Sequence, residues 1–321
     1  AMVTGAERID IEGVAFYNDA VIGTAQQTTY SSDASNWLAN ETAIVNRLSL
    51  ATDSRVHLLA GIDVSNAGDI TITDELDFYQ WQLASADVID EGSLTIRAGN
   101  NLNINASISD AVNREVLYST SFGGFTLDGP VVPLIKDGDS WNYRLVSGAD
   151  LASSAVMATR SDDQKSTGNL TLASDVIVRT GKGDIHLASG GDLVLADQTS
   201  VIYTVGQGNG TGYYTADIMD FTLLPDGPQF PSQGGDIEIN VAEDIVAAVS
   251  DQYFTDWLQR MGGQISTTGS GDEIPGMWAV VLDDFEQGIA TLGGGDIIVN
   301  AGGDISNITL STPTTGQITS I

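Results

Sequence analysis

The chain has 321 residues, with 43 acidic against 12 basic side chains and a formal charge of −31. That balance excludes nucleic acid and anionic lipid as partners, because binding to either draws on clustered Lys and Arg that release counterions. Cysteine is absent, which removes any disulfide framework, thiol nucleophile or thiolate metal site, and which fits either a reducing cytosol or an exported chain that threads a pore without cross-linking.

Only ten of the acidic residues are Glu, and Asp in such excess belongs to turns rather than helices. The longest apolar runs, such as Met277-Trp278-Ala279-Val280-Val281-Leu282, fall well short of the roughly 20 residues that span a bilayer, so no membrane insertion is expected. Nothing at Ala1 resembles a signal peptide. Ala1-Met2 looks like a cloning remnant and Ile318-Thr319-Ser320-Ile321 stops inside a strand-like pattern, so an excised piece of a longer protein is expected.

In chain order, the predicted elements are copies of one phrase: Gly, then Asp or Asn, then two branched apolar residues one position apart. It occurs at Gly68-Asp69-Ile70-Thr71-Ile72, Gly168-Asn169-Leu170-Thr171-Leu172, Gly183-Asp184-Ile185-His186-Leu187, Gly191-Asp192-Leu193-Val194-Leu195, Gly235-Asp236-Ile237-Glu238-Ile239 and Gly295-Asp296-Ile297-Ile298-Val299. Alternation at period two is the strand signal, and Gly-Asx before each run is turn chemistry, with Gly tolerating positive φ and Asx closing its own turn. The phrases pair about eight residues apart, as Gly183 with Gly191, Asp236 with Asp244 and Gly295 with Gly303, with Gly92 and Gly99 a near-pair. One strand and one turn take that length, and a single such unit cannot bury its apolar face, so the repetition predicts a solenoid of stacked short parallel strands, one elongated domain over 1–321. Residues 185, 187, 193, 195, 237, 239, 245, 297 and 299 then point inward, while Thr71, Thr171, His186 and Glu238 point outward.

Five segments break the repeat and are predicted as loop insertions: about 16–46, 74–91, 110–166, 203–233 and 250–293. They hold Tyr79, Trp81, Trp141, Tyr143, Tyr203, Tyr213, Tyr214, Phe230, Tyr253, Phe254, Trp257 and Trp278. Two have helical spacing. Ser250-Asp251 is placed to cap a helix through Tyr253, Phe254, Trp257, Leu258 and Met261 that ends at Gly262-Gly263; 36–48 carries Trp37, Leu38, Ile44, Val45 and Leu48 with weaker periodicity.

Gly294-Gly295-Asp296-Ile297-Ile298-Val299-Asn300-Ala301-Gly302-Gly303-Asp304-Ile305-Ser306-Asn307 resembles the recurring Gly-Gly-Asp, strand, Ala-Gly-Gly-Asp, strand repeat of the filamentous haemagglutinin family of large bacterial exoproteins. Irregular stretches are similar to a region of some giant members: Ser140-Trp141-Asn142-Tyr143-Arg144-Leu145-Val146-Ser147-Gly148-Ala149-Asp150, Val178-Arg179-Thr180-Gly181, Val201-Ile202-Tyr203-Thr204, Tyr253-Phe254-Thr255-Asp256-Trp257-Leu258 and the run from Phe285 to Asp296. The likeness covers about 46–321. It implies a right-handed parallel β-helix, export through an outer-membrane partner pore, an extracellular or cell-surface location, and adhesion to a host or neighbouring-cell glycan or protein. The family's amino-terminal secretion module and an Arg-Gly-Asp sequence are both absent, and no binding residue carries over.

Candidate chemistry is sparse, and no catalytic residue, metal site or cofactor is predicted. Asp283-Asp284 and Asp162-Asp163 are adjacent pairs, but strand neighbours face opposite ways, whereas a glycosidase pair needs facing carboxylates with one pKa raised. His57 and His186 sit apart in strand phrases, too few for zinc or a triad. Asp137-Gly138-Asp139 lacks the further ligands of a calcium loop, and Gly293-Gly294-Gly295 lacks the Lys of a phosphate loop. The loop aromatics are expected mostly to pack over the coil surfaces, with the rest free to stack on sugars or anchor interfaces, and the expected reading is a non-enzymatic structural and adhesive segment whose loops mediate or shield contacts; the alternatives are a carbohydrate-active enzyme on the same scaffold and a passive spacer.

Overall fold

The computed structural model describes residues 8–50, 54–81, 83, 91–116, 119–122, 125–128, 131–160, 168–208, 229–265, 272–286 and 288–315. The protein is mostly β, 46% strand and 14% helix, in long stacked parallel sheets compatible with an all-β parallel solenoid. A first sheet hydrogen-bonds Ile9–Tyr17, Val56–Asn66, Gly92–Ala98, Trp141–Ser147, Ile185–Ser189, Ile237–Val241 and Ile297–Ala301 in chain order. A second orders Val21–Ile22, Ile70–Ile72, Leu102–Ile104, Leu170–Leu172, Leu193–Leu195, Ile245–Ala247 and Ile305–Ser306. The third orders Leu76–Asp77, Ile108–Ser109, Ile177–Thr180, Val201–Thr204, Ile289–Thr291 and Leu310–Ser311. The chain visits the sheets in rotation, and each circuit after the first adds one strand to each; in the first, helix follows Val21–Ile22 in place of a third-sheet strand.

Register explains the core. Ile62, Leu94, Tyr143, Ile185 and Ile237 are successive partners on the first sheet, as are Leu102, Leu170, Leu193 and Ile245 on the second. All of these pack with Ile108, Val178, Ile202 and Ile289 of the third sheet in one buried cluster. The inward positions read from the sequence hold at 185, 187, 193, 195, 237, 239 and 245. Ile297 and Val299 are only half-buried, because their strand is the last of its sheet and receives packing from one side.

The recurring Asx residues do something different from the turn closure expected of them. Each side chain accepts a hydrogen bond from the backbone N–H of the Asx one circuit further on. One ladder runs from Asn142 to Asp184 to Asp236 to Asp296, at 2.9, 2.8 and 2.7 Å. A second runs through Asp69, Asn101, Asn169, Asp192, Asp244 and Asp304, at 2.7 to 3.0 Å. The glycines also need a revised reason: of the six phrase glycines, positive φ is confined to Gly168 and Gly295. At Gly183 a Cβ would sit 2.1 Å from the Trp141 carbonyl oxygen, and at Gly235 the same distance from that of Gly183. Glycine is required there because successive circuits bring backbones into contact.

The insertions are shorter than predicted, and several of their residues belong to the stack. Trp141–Ser147 lies within the predicted 110–166 loop but is a central strand of the first sheet; Leu76–Asp77, Val201–Thr204 and Ile289–Thr291 are third-sheet strands. Trp141-Asn142 stands before Tyr143 where the repeated phrase has Gly-Asp, which hid this strand. The first insertion is helical from Thr24 to Ala39 and again from Glu41 to Arg47, so helix begins twelve residues before the predicted start. The helix predicted after Ser250-Asp251 is corrected more sharply. Only Phe254–Trp257 is helical, and Leu258–Ile265 is a strand antiparallel to Asp272–Val280, since pairing with a distant segment outweighs local periodicity. A further hairpin pairs Val112–Val116 with Val131–Ile135.

These insertions fold onto the outer face of the third sheet. Ala111, Val112 and Ile135 join Trp257, Val280, Leu282 and Phe285 over Val201, Tyr203 and Ala290, a second apolar cluster outside the main core. Trp257 and Tyr203 both meet Phe285 edge-on.

Candidate functional site

Three places hold polar or aromatic groups in arrangements beyond simple packing. The first is the outward face of the first sheet, where Asp63, Thr95, Arg144, His186 and Glu238 follow one another across circuits. Arg97 is paired with Asp63 at 3.9 Å and Arg144 with Glu12 at 3.7 Å, and His186 Nδ1 lies 3.4 Å from the Glu238 carboxylate. Gly61 lets Glu12 lie across it, and the Glu12 carboxylate accepts the Ser93 hydroxyl. The outward orientation expected of His186 and Glu238 is present, and His57 is exposed.

The second is a polar group at the third sheet that the sequence reading missed. Asp110 is fully buried, and accepts from the Ser140 hydroxyl at 2.5 Å and the Trp141 and Ala111 N–H groups at 2.7 Å. It therefore clasps the two ends of the insertion that leaves at Ala111 and returns at Ser140. Burial pushes its pKa up to about 6 despite those donors, and Asp77 is raised to about 6 by burial and by the neighbouring Glu75. Beside them Arg179 donates to Ser109 at 2.8 Å and to the Tyr203 hydroxyl at 3.1 Å. The Tyr143 hydroxyl is buried with no partner among the described residues, and burial followed by the field of Asp110 and Asp77 pushes its pKa well up. Two carboxyls with raised pKa values are what acid–base chemistry needs, but Asp110 is closed off by protein on every side. A single buried Asp after an ordinary strand carries no distinguishing pattern, which is why it escaped notice.

The third is the insertion spanning 250–286. Tyr253 and Phe254 are 74% and 58% exposed and Trp278 is 39% exposed, whereas Trp141, Tyr143, Tyr203, Phe230 and Trp257 are buried. Tyr79 and Trp81 are partly buried against the two cores. Tyr213 and Tyr214 lie outside the described residues. Most of the loop aromatics therefore pack as expected, holding circuits or insertions together, and these three are left exposed.

The remaining candidates are separated. Asp283 and Asp284 lie in a single 3₁₀ turn rather than a strand, and Asp283 is gripped by Arg114 Nη1 and Nη2 at 2.7 and 3.0 Å. Asp162-Asp163 falls outside the described residues. Asp139 sits 3.6 Å from Lys182, and the Gly293-Gly294-Gly295 turn packs its backbone against Val205 and Gly235. Among the described residues no group of three or more His, Asp or Glu is placed to hold a metal ion, and no helix is long and apolar enough to cross a membrane.

No protein-family model, no curated protein and no solved structure matches this chain.

Proposed function

We propose that the chain is a right-handed parallel β-helical segment of a large secreted or cell-surface bacterial exoprotein of filamentous haemagglutinin type, with a structural and adhesive rather than catalytic role. The observation that carries this reading is the division of labour among its residues. The repeated Gly-Asx phrase is spent on bonding one circuit to the next, which builds a rod, while three aromatics are presented together from one insertion and Phe16 is exposed on the first strand of the first sheet. A rod that holds Tyr253, Phe254 and Trp278 in water suits contact with a glycan or a protein surface, because exposed Trp and Tyr stack on sugar rings and anchor interfaces. Export as an unfolded chain through an outer-membrane pore accords with the absence of cysteine.

The test is a screen of the purified chain against immobilised glycans and host matrix proteins, repeated with Tyr253→Ser and Trp278→Ala. Saturable binding that these changes weaken, with an unaltered circular-dichroism spectrum, is the expected result. Turnover of a polysaccharide would overturn it in favour of an enzyme.

A further inference from the structure

We infer that the loop Val249–Phe254 is a docking surface for a basic protein, one that offers an apolar pocket rimmed by Lys and Arg. The inference rests on the adhesive reading and narrows its partner from a glycan or protein to a protein of that kind. The loop follows the second-sheet strand Ile245–Ala247 and opens the 250–286 insertion. Val249 is 76% exposed, and with Tyr253 and Phe254 it places three large apolar side chains in water on one short loop. Val246, outward on the preceding strand, is exposed as well. A single exposed apolar side chain is ordinary, whereas several together mark a site of association.

The loop is tied down from within the protein. Gln252 Nε2 donates to the Asp284 carbonyl, and its Oε1 accepts the Glu286 N–H at 2.9 Å. The Ser250 hydroxyl donates to the Glu286 carbonyl at 3.4 Å and accepts the Gln252 N–H at 3.2 Å. Asp256 accepts the Tyr253 N–H at 2.9 Å, and Trp257, buried edge-on against Phe285, anchors the far end. A surface fixed in this way gives up little conformational freedom on binding. The same bonds narrow the partner. They spend the Gln252 amide and the Ser250 hydroxyl internally, and Val249 and Phe254 have no polar side-chain atom with which to orient a sugar hydroxyl. What accompanies the apolar surface is negative charge, in the exposed Asp251 and Asp256. Their setting reinforces it: of the 12 basic residues only Arg260 lies beyond Lys182, whereas 19 of the 43 acidic residues do. The ladder residues of that half, 184, 192, 236, 244, 296 and 304, are all Asp, while Asn101, Asn142 and Asn169 stand in the ladders before it. A neutral glycan gains nothing from this field and an acidic partner is repelled by it. A basic surface is steered in and then held by apolar contact.

The test presents the full chain to an array of secreted and matrix proteins, basic and acidic, and to an array of neutral glycans. Saturable retention on one or more basic proteins is the expected result. A Val249→Ser, Phe254→Ser variant should weaken that retention about tenfold or more, with its circular-dichroism spectrum unaltered. Asp251→Asn combined with Asp256→Asn, which keeps an acceptor for the Tyr253 N–H, should slow association and flatten its dependence on salt between about 50 and 300 mM. Retention on basic proteins that survives the Val249 and Phe254 changes would show charge alone at work and overturn the inference. Retention confined to glycans or acidic proteins would overturn it while leaving the adhesive reading in place, and retention on nothing would sink both.

Discussion

Removing one acceptor from an Asx ladder should loosen the backbone one circuit away rather than in its own turn. Asp236 accepts the Asp296 N–H at 2.7 Å, while its own N–H is held by Asp184 at 2.8 Å. In Asp236→Ala the Asp296 N–H reverts to solvent, a loss of about 1 kcal/mol for one exposed hydrogen bond. Strands spaced by about 4.8 Å also stack ladder carboxylates close enough to repel by roughly 0.9 kcal/mol per neighbour in water before salt screening. Both Ala and Asn relieve that repulsion, but only Asn keeps the acceptor. Asp236→Asn should therefore be more stable than Asp236→Ala by about 1 kcal/mol, with a Tm difference of roughly 1–2 °C for a chain of this size. Hydrogen exchange locates the effect: protection at Asp296 should fall about fivefold in the Ala variant and persist in the Asn variant. Unchanged protection at Asp296, or a loss confined to 236–238, would refute the ladder and restore the Asx side chain to its own turn.

Three further outcomes follow from the packing and charge. Ile185 is fully buried between Tyr143 and Ile237, so Ile185→Asp loses about 2–5 kcal/mol of packing and adds the cost of an unpaired buried charge; thermal unfolding should drop by roughly 7 °C or more, and a shift of only a degree or two would show the register to be wrong. Asp110, raised to about 6, holds its proton more tightly folded than unfolded, so its contribution to stability is present below the unfolded value of 3.8 and is lost as pH rises toward 6. Denaturant titrations should then show wild type losing stability relative to Asp110→Asn by a few kcal/mol from pH 4 to 6, and a constant gap across that range would count against it. With a charge of −31, sodium chloride should raise the Tm by screening and calcium should add little at equal ionic strength; a large rise at sub-millimolar calcium alone would reveal a specific site.

The repeating part of the fold was legible because one chemical demand recurs at each circuit. Gly183-Asp184-Ile185 and Gly235-Asp236-Ile237 spell backbone contact, ladder acceptor and core residue in the same order, and the core positions followed directly. Trp141–Ser147 meets the same demand with Asn142 as the ladder residue and Trp141 where the phrase has Gly, so its aromatics suggested a loop. The strand Leu258–Ile265 was hidden for a different reason: Tyr253, Trp257 and Met261 are spaced as on a helix, and the partner that makes a hairpin lies beyond the reach of local pattern. The candidate sites were least legible. The clasp at Asp110 depends on the two ends of a long insertion being brought together, and exposure, which separates Trp278 from Trp257, is a property of packing that composition does not encode.

The central claim, that this is an adhesive rod rather than an enzyme, is tested most directly by measuring binding and turnover together on one panel of surface glycans and matrix proteins. The account predicts saturable retention of the intact chain on at least one glycan or protein, no release of cleaved product, and loss of retention in a Tyr253→Ser, Trp278→Ala double variant that keeps its strand-rich spectrum. Retention on nothing in the panel, retention indifferent to the double variant, or steady release of shortened polysaccharide would contradict it.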